Sequence, residues 1–242
     1  DTDRAETMDA HDVLRMVKTR VIVLNIALLL VSWFLVFTTV MPIGWYHGSR
    51  EVTCPNGDTT NLSATYSLWG MRLCELDVSQ GCAKKCDYQS WRTYGCGNTG
   101  PYGYFEIDCW EFDTAGISSG LLLIAALTFG VVSLGFSSIR VWNRDVGPFT
   151  RFYCATMNLV STIISTMLTL FVWFVYPIVV DKSDYLTDNP KMTLHLYWGW
   201  YLVFFAFVVQ IGQCCIVAFD SYRAGIRSRY LSLEDDDQND GL

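Results

Sequence analysis

At 242 residues the chain has the length of one or two soluble domains, but its composition excludes them: 51% of residues are apolar, 15% aromatic, and the apolar ones are clumped. The net charge of −7 is concentrated near the C-terminal end, where Glu234, Asp235, Asp236, Asp237 and Asp240 follow the last basic residue, Arg229. Those five set aside, the remainder carries −2 and has no basic patch of the kind a nucleic-acid partner requires.

Residues 1–20 are polar and mixed in charge. The apolar run 21–41 that follows is longer than a signal-peptide core and has no small-residue cleavage site after it. It is expected to remain as a first membrane span, stopped by Pro42. Further charge-free runs at Ile117–Ile139, Leu159–Val180 and Leu196–Phe219 place spans at 117–139, 152–180 and 196–219. A charge at the bilayer centre costs at least about 2.5 kcal/mol, so runs this long without Asp, Glu, Lys, Arg or His read as spans. Between them lie a Cys-rich loop (42–116), a short loop (140–151) and a second short loop (181–195), and an acidic tail (220–242) follows, expected to be disordered after Arg229.

Lys and Arg set the expected orientation. Arg15, Lys18, Arg20, Arg140, Arg144, Arg151, Arg223, Arg227 and Arg229 cluster at one set of span ends. The loop 181–195 carries only Lys182 and Lys191. Both termini are therefore expected in the cytoplasm and the Cys-rich loop outside. Six cysteines in that loop (Cys54, Cys74, Cys82, Cys86, Cys96 and Cys109) suit an oxidising compartment and a disulfide framework. Fifteen pairings are open. Asn61-Leu62-Ser63 is a sequon that makes Asn61 a glycosylation candidate on that side. Trp45, Tyr46, Trp110, Tyr176, Tyr197, Trp198, Trp200 and Tyr201 gather near the outer span ends, as an interfacial belt would.

A loop of this size holds little core and needs staples. β-prone pieces at Glu51–Cys54, Thr65–Trp69 and Tyr102–Cys109 predict a small antiparallel sheet. Cys82-Ala-Lys-Lys-Cys86 has the look of half a zinc site, but no second half follows, and no metal or other cofactor is expected. Within the spans, Asn158, Ser161, Thr162, Ser165, Thr166 and Thr169 form one face of the third helix, and Asn25, Ser32 and Thr39 recur every seven residues in the first. With Gly116, Gly120, Gly199, Ala206 and Gly212 they predict close helix packing. Cys154, Cys214 and Cys215, near the cytoplasmic span ends, are palmitoylation candidates.

Trp45, Leu68-Trp69, Cys74 and Cys82, set in a long outer loop after the first of four spans, resemble the pattern of the claudin-like superfamily, with Ser67 where that family has Gly. The stretch Tyr66-Ser67-Leu68-Trp69-Gly70-Met71-Arg72, followed by Cys74, is more similar to the signature of amastins, surface proteins of kinetoplastid parasites with the same layout. Thr65 stands in place of that signature's opening Cys, and its closing Cys arrives one residue early. The resemblance implies a membrane protein built as a four-transmembrane-helix bundle, all-α but for a small disulfide-rich extracellular β-sheet cap. It implies a role at a parasite's interface with host or vector, or in membrane homeostasis. It also implies Cys54 or another loop cysteine as the partner of Cys74.

Taken together, the expected function is that of a non-enzymatic, multi-pass cell-surface protein of the plasma membrane. Its partners would be membrane lipids, an N-glycan, and other membrane proteins or copies of itself. The alternative is an accessory or assembly subunit of a larger membrane complex, docked through the polar face of the third helix. His47 and His195 could meet at the outer face, but no intramembrane carboxylate or nucleophile motif suggests an enzyme.

Overall fold

The computed structural model describes residues 10–53, 57, 59–77, 83–90, 109–142, 148–181 and 193–239. Four long helices, α1 (Ala10–Val40), α2 (Cys109–Trp142), α3 (Pro148–Asp181) and α4 (Trp198–Asn239), are joined by five strands. The strands are β1 (Tyr46–Thr53), β2 (Thr59–Tyr66), β3 (Gly70–Asp77), β4 (Ala83–Ser90) and β5 (Thr193–Leu196). Each helix contains a segment long and apolar enough to cross a membrane: Arg20–Val40, Asp113–Arg140, Thr150–Val180 and Trp198–Ile226. The chain is a multi-pass membrane protein.

The helices overrun the expected spans because a helix, once nucleated, continues until something breaks it, whether or not its residues are apolar. α1 ends two residues before Pro42, and α3 opens on Pro148, whose missing N–H is no loss at a helix start. α2 begins at Cys109, inside the stretch expected to be loop. The acidic tail is corrected in the same way: its backbone continues α4 to Asn239. Of the expected strand pieces, Glu51–Thr53 falls in β1 and Thr65–Tyr66 ends β2, while Tyr102–Asp108 lies outside the described residues.

All strands pair antiparallel in the order β4-β3-β2-β1-β5. β5 takes Thr193–His195 of the second short loop and Leu196, the first residue of the expected fourth span, and lies against Tyr46–Ser49 of β1. Gly57, in the connection between β1 and β2, takes a left-handed φ of 87° that a side chain would resist.

By contact the chain divides into two units. One takes α1 up to Trp33, α2 from Thr128, α3 up to Thr166 and α4 from Val208. Its helices meet through buried polar side chains (Asn25, Ser32, Ser133, Ser137, Asn158, Thr162 and Gln210 among them). The other comprises Phe34–Leu127 and Met167–Phe207 and contains the sheet. Its core is apolar and aromatic, with Trp45, Tyr66, Leu68, Met71, Leu123, Val172, Tyr176 and Val203 fully enclosed.

Candidate functional site

The motif Tyr66–Arg72 is a hairpin tip. Tyr66 pairs with Met71, and the Ser67 N–H donates to the Gly70 carbonyl at 2.8 Å, so Leu68 and Trp69 alone form the loop. Ser67 Oγ donates to the same carbonyl at 2.7 Å, a second clamp on the turn. Gly70 contributes that carbonyl from extended β3 rather than a left-handed φ. The tip is sunk into the start of α2. A Cβ on Gly116 would lie 2.2 Å from the Leu68 carbonyl oxygen, and one on Gly120 would lie 2.5 Å from the Trp69 ring. The Gly116-x-x-x-Gly120 pair, expected to admit another helix, therefore receives a β-turn.

Trp69 of the motif and Trp45, just before β1, both reach the end of α1. The last carbonyls of a helix have no partner within it. Trp69 Nε1 donates to the Val40 carbonyl, and Trp45 Nε1 reaches that of Thr39 at 3.4 Å. Trp45 is wholly buried; its ring meets Tyr176 edge-on at 4.8 Å and lies over Gly199, where a Cβ would come within 2.5 Å. Its backbone accepts from Tyr197 N–H at 2.8 Å and donates to the Tyr66 carbonyl at 2.6 Å. Trp45, Tyr46 and Tyr176 are thus core residues, not members of a lipid-facing belt. Tyr197, Trp198 and Tyr201 are exposed and remain suited to one, while the Trp110 side chain lies outside the described residues.

Cys74 is disulfide-bonded to Cys86, directly opposite it across β3 and β4. Cys86 is therefore not a thiolate that could serve a metal. Cys54, Cys82 and Cys96 lie outside the described residues, as does the side chain of Cys109. Arg72 and Tyr88, two residues further along the same two strands, are opposed and exposed. Asn61 is exposed on β2, opposite Glu51 and two residues beyond the last β2–β3 pair. His47 and His195 are brought opposite each other across β1 and β5; the His47 ring stacks on Tyr197, and its Nδ1 lies 3.2 Å from Thr65 Oγ1.

In the other unit, the polar face of α3 is turned inward: Asn158, Ser161, Thr162, Ser165 and Thr166 are all buried. Thr169, its last member, is buried within the sheet-bearing unit. Ser133 Oγ on α2 donates to Asn158 Oδ1 at 2.5 Å and lies 3.1 Å from Thr162 Oγ1. Asn158 Nδ2 donates to Ser137 Oγ at 3.0 Å, and Asn25 Nδ2 on α1 donates to the same oxygen at 3.1 Å. On the other flank Gln210 Nε2 on α4 reaches Ser165 Oγ at 3.3 Å. Bonds of this kind between helices contribute about 0.6 kcal/mol each in lipid. A face used up inside its own unit is not a docking seam, which corrects the surface assigned to the alternative function.

Of the palmitoylation candidates, Cys154 is buried, Cys214 is half-buried with Sγ 3.3 Å from Thr166 Oγ1, and Cys215 alone is exposed. Sequence reasoning missed the Arg140–Asp220 pair, 2.5 Å apart with side chains 9% and 20% exposed. The signal was present: each residue directly follows a charge-free run. Ser133, Ser137 and Gln210 were also in view, at helical spacing inside apolar runs, but their partners lie on other helices.

No family model matches the chain, and no curated protein matches it.

Proposed function

We propose that the protein is a non-enzymatic cell-surface membrane protein of amastin-like kind, within the claudin-like layout, that presents its disulfide-stapled sheet for contacts with neighbouring membrane proteins, with its own copies or with an opposing surface. The observation that carries this reading is the keyed hairpin. Its tip is fixed by two glycines of α2 and the Trp69 indole bond to the end of α1, and Trp45, just before β1, adds a second indole bond there, so the sheet is held by the apolar helices. The cystine then stiffens β3 and β4, where Arg72, Asp87 and Tyr88 are exposed. Tyr and Arg are among the residue types enriched at protein contact surfaces. Exposed Asn61 is suited to carry a glycan alongside.

Photo-crosslinking in cells tests this, with a photoreactive residue placed at Tyr88 and, as control, at buried Leu68. Adducts with a membrane protein or a second copy at position 88 but not at 68 are the expected result. Lipid adducts alone at both positions would remove the reading. A partner that co-purifies in detergent at fixed stoichiometry would favour the accessory-subunit role instead.

A further inference from the structure

The buried polar seam and the Arg140–Asp220 pair border one recess of about 10 Å³, lined by Ile22 and Asn25 of α1, Ser137 and Arg140 of α2, and Val217 and Asp220 of α4. That is room for one water molecule, provided polar partners surround it. Asn25 is 5% exposed, and its Oδ1 has no protein partner. Nδ2 serves Ser137 Oγ. With the amide turned over, Oδ1 would take the Ser137 hydroxyl proton and Nδ2 would be left unpaired. The recess meets an unsatisfied amide end in either orientation, and the roles below are those of the orientation with Nδ2 on Ser137.

Ser137 supplies the complementary lack. Its Oγ accepts N–H bonds from both Asn25 and Asn158, which fills its lone pairs. Its own proton must then be given to a further acceptor. Arg140 has five N–H donors, of which the bond to Asp220 Oδ2 takes one. The recess is thus bordered by two groups with protons to give and two with lone pairs to fill.

We propose that this recess binds one internal water molecule, which accepts from Ser137 Oγ–H and the Arg140 guanidinium and donates to Asn25 Oδ1 and Asp220. Four bonds satisfy the water fully. They join the amide–hydroxyl seam of α1, α2 and α3 to the charge pair of α2 and α4 as a single network. An unpaired amide oxygen among apolar side chains is the costly alternative.

Radiolytic hydroxyl labelling of the intact protein in lipid nanodiscs, in water enriched in oxygen-18, reads such a site directly, because radicals form where the water sits. Val217, 1% exposed, should take up the label several-fold more than Val172 and Val203, which are as enclosed in the apolar core. Asn25→Leu and Ser137→Ala should each bring Val217 down to that background. Wild-type labelling no higher than at Val172 and Val203 would overturn the proposal, whatever the variants do. Full labelling in folded Asn25→Leu and Ser137→Ala proteins would overturn the assigned partners.

Discussion

A tryptophan beside a span end, as Trp45 is, invites the reading that it anchors at a membrane surface. Trp45 and Trp69 instead spend their indole N–H groups on the last carbonyls of α1 and their rings against glycines. Composition cannot separate these roles, because an indole has the same apolar body and polar edge in both. The Gly116 and Gly120 spacing was legible, but its partner was not, since a turn and a helix both need the missing Cβ. The two glycines should respond unequally. Gly116→Ala meets a backbone carbonyl at 2.2 Å that cannot swing aside, while Gly120→Ala meets a ring edge at 2.5 Å. Overpacking of this sort costs about 1–3 kcal/mol. Gly116→Ala is expected at the upper end and Gly120→Ala at the lower, as falls in the thermal midpoint of detergent-purified protein.

Among the elements, the four apolar spans could be read directly, because any charge within them would have been expensive. Helix ends could not, since hydropathy reports where lipid is tolerated and not where hydrogen bonding stops. β5 was beyond reach for another reason: four residues, Thr193–Leu196, have no periodicity until β1 supplies the partner. The Arg140–Asp220 link between α2 and α4 was equally hidden, with 80 residues between its members. Its energetics follow from partial burial. Arg140→Leu leaves Asp220 without its counter-ion and should cost about 3 kcal/mol, whereas the double replacement Arg140→Leu/Asp220→Leu removes both charges and should recover most of that. Denaturation of the two variants in the same detergent checks the order; a double variant weaker than the single would refute it.

At the scale of the molecule, the charge asymmetry of the span ends and the sequon make one joint expectation. Asn61 should carry a glycan, so that the protein migrates faster on gels after glycosidase treatment and Asn61→Gln loses that difference. Epitope tags at either terminus should be reachable by antibody only in permeabilised cells. A tag stained on intact cells would reverse the orientation read from Lys and Arg. Asn61 is well placed for a transferase: it is exposed, and β3 stops pairing at Ser63.

The short strand β5 has one more consequence, for the order in which the protein is made. β1 through β4 are translated before α2, whereas the segment that closes the other edge of β1 follows α3. A nascent chain can zip the four early strands by local hairpins as they emerge. The fifth must wait until a third helix has been threaded, so the Tyr46–Ser49 edge stays open through most of synthesis. Closure of so distant a pair is slow compared with the hairpins. An open strand edge in that interval is where a folding chaperone would be needed.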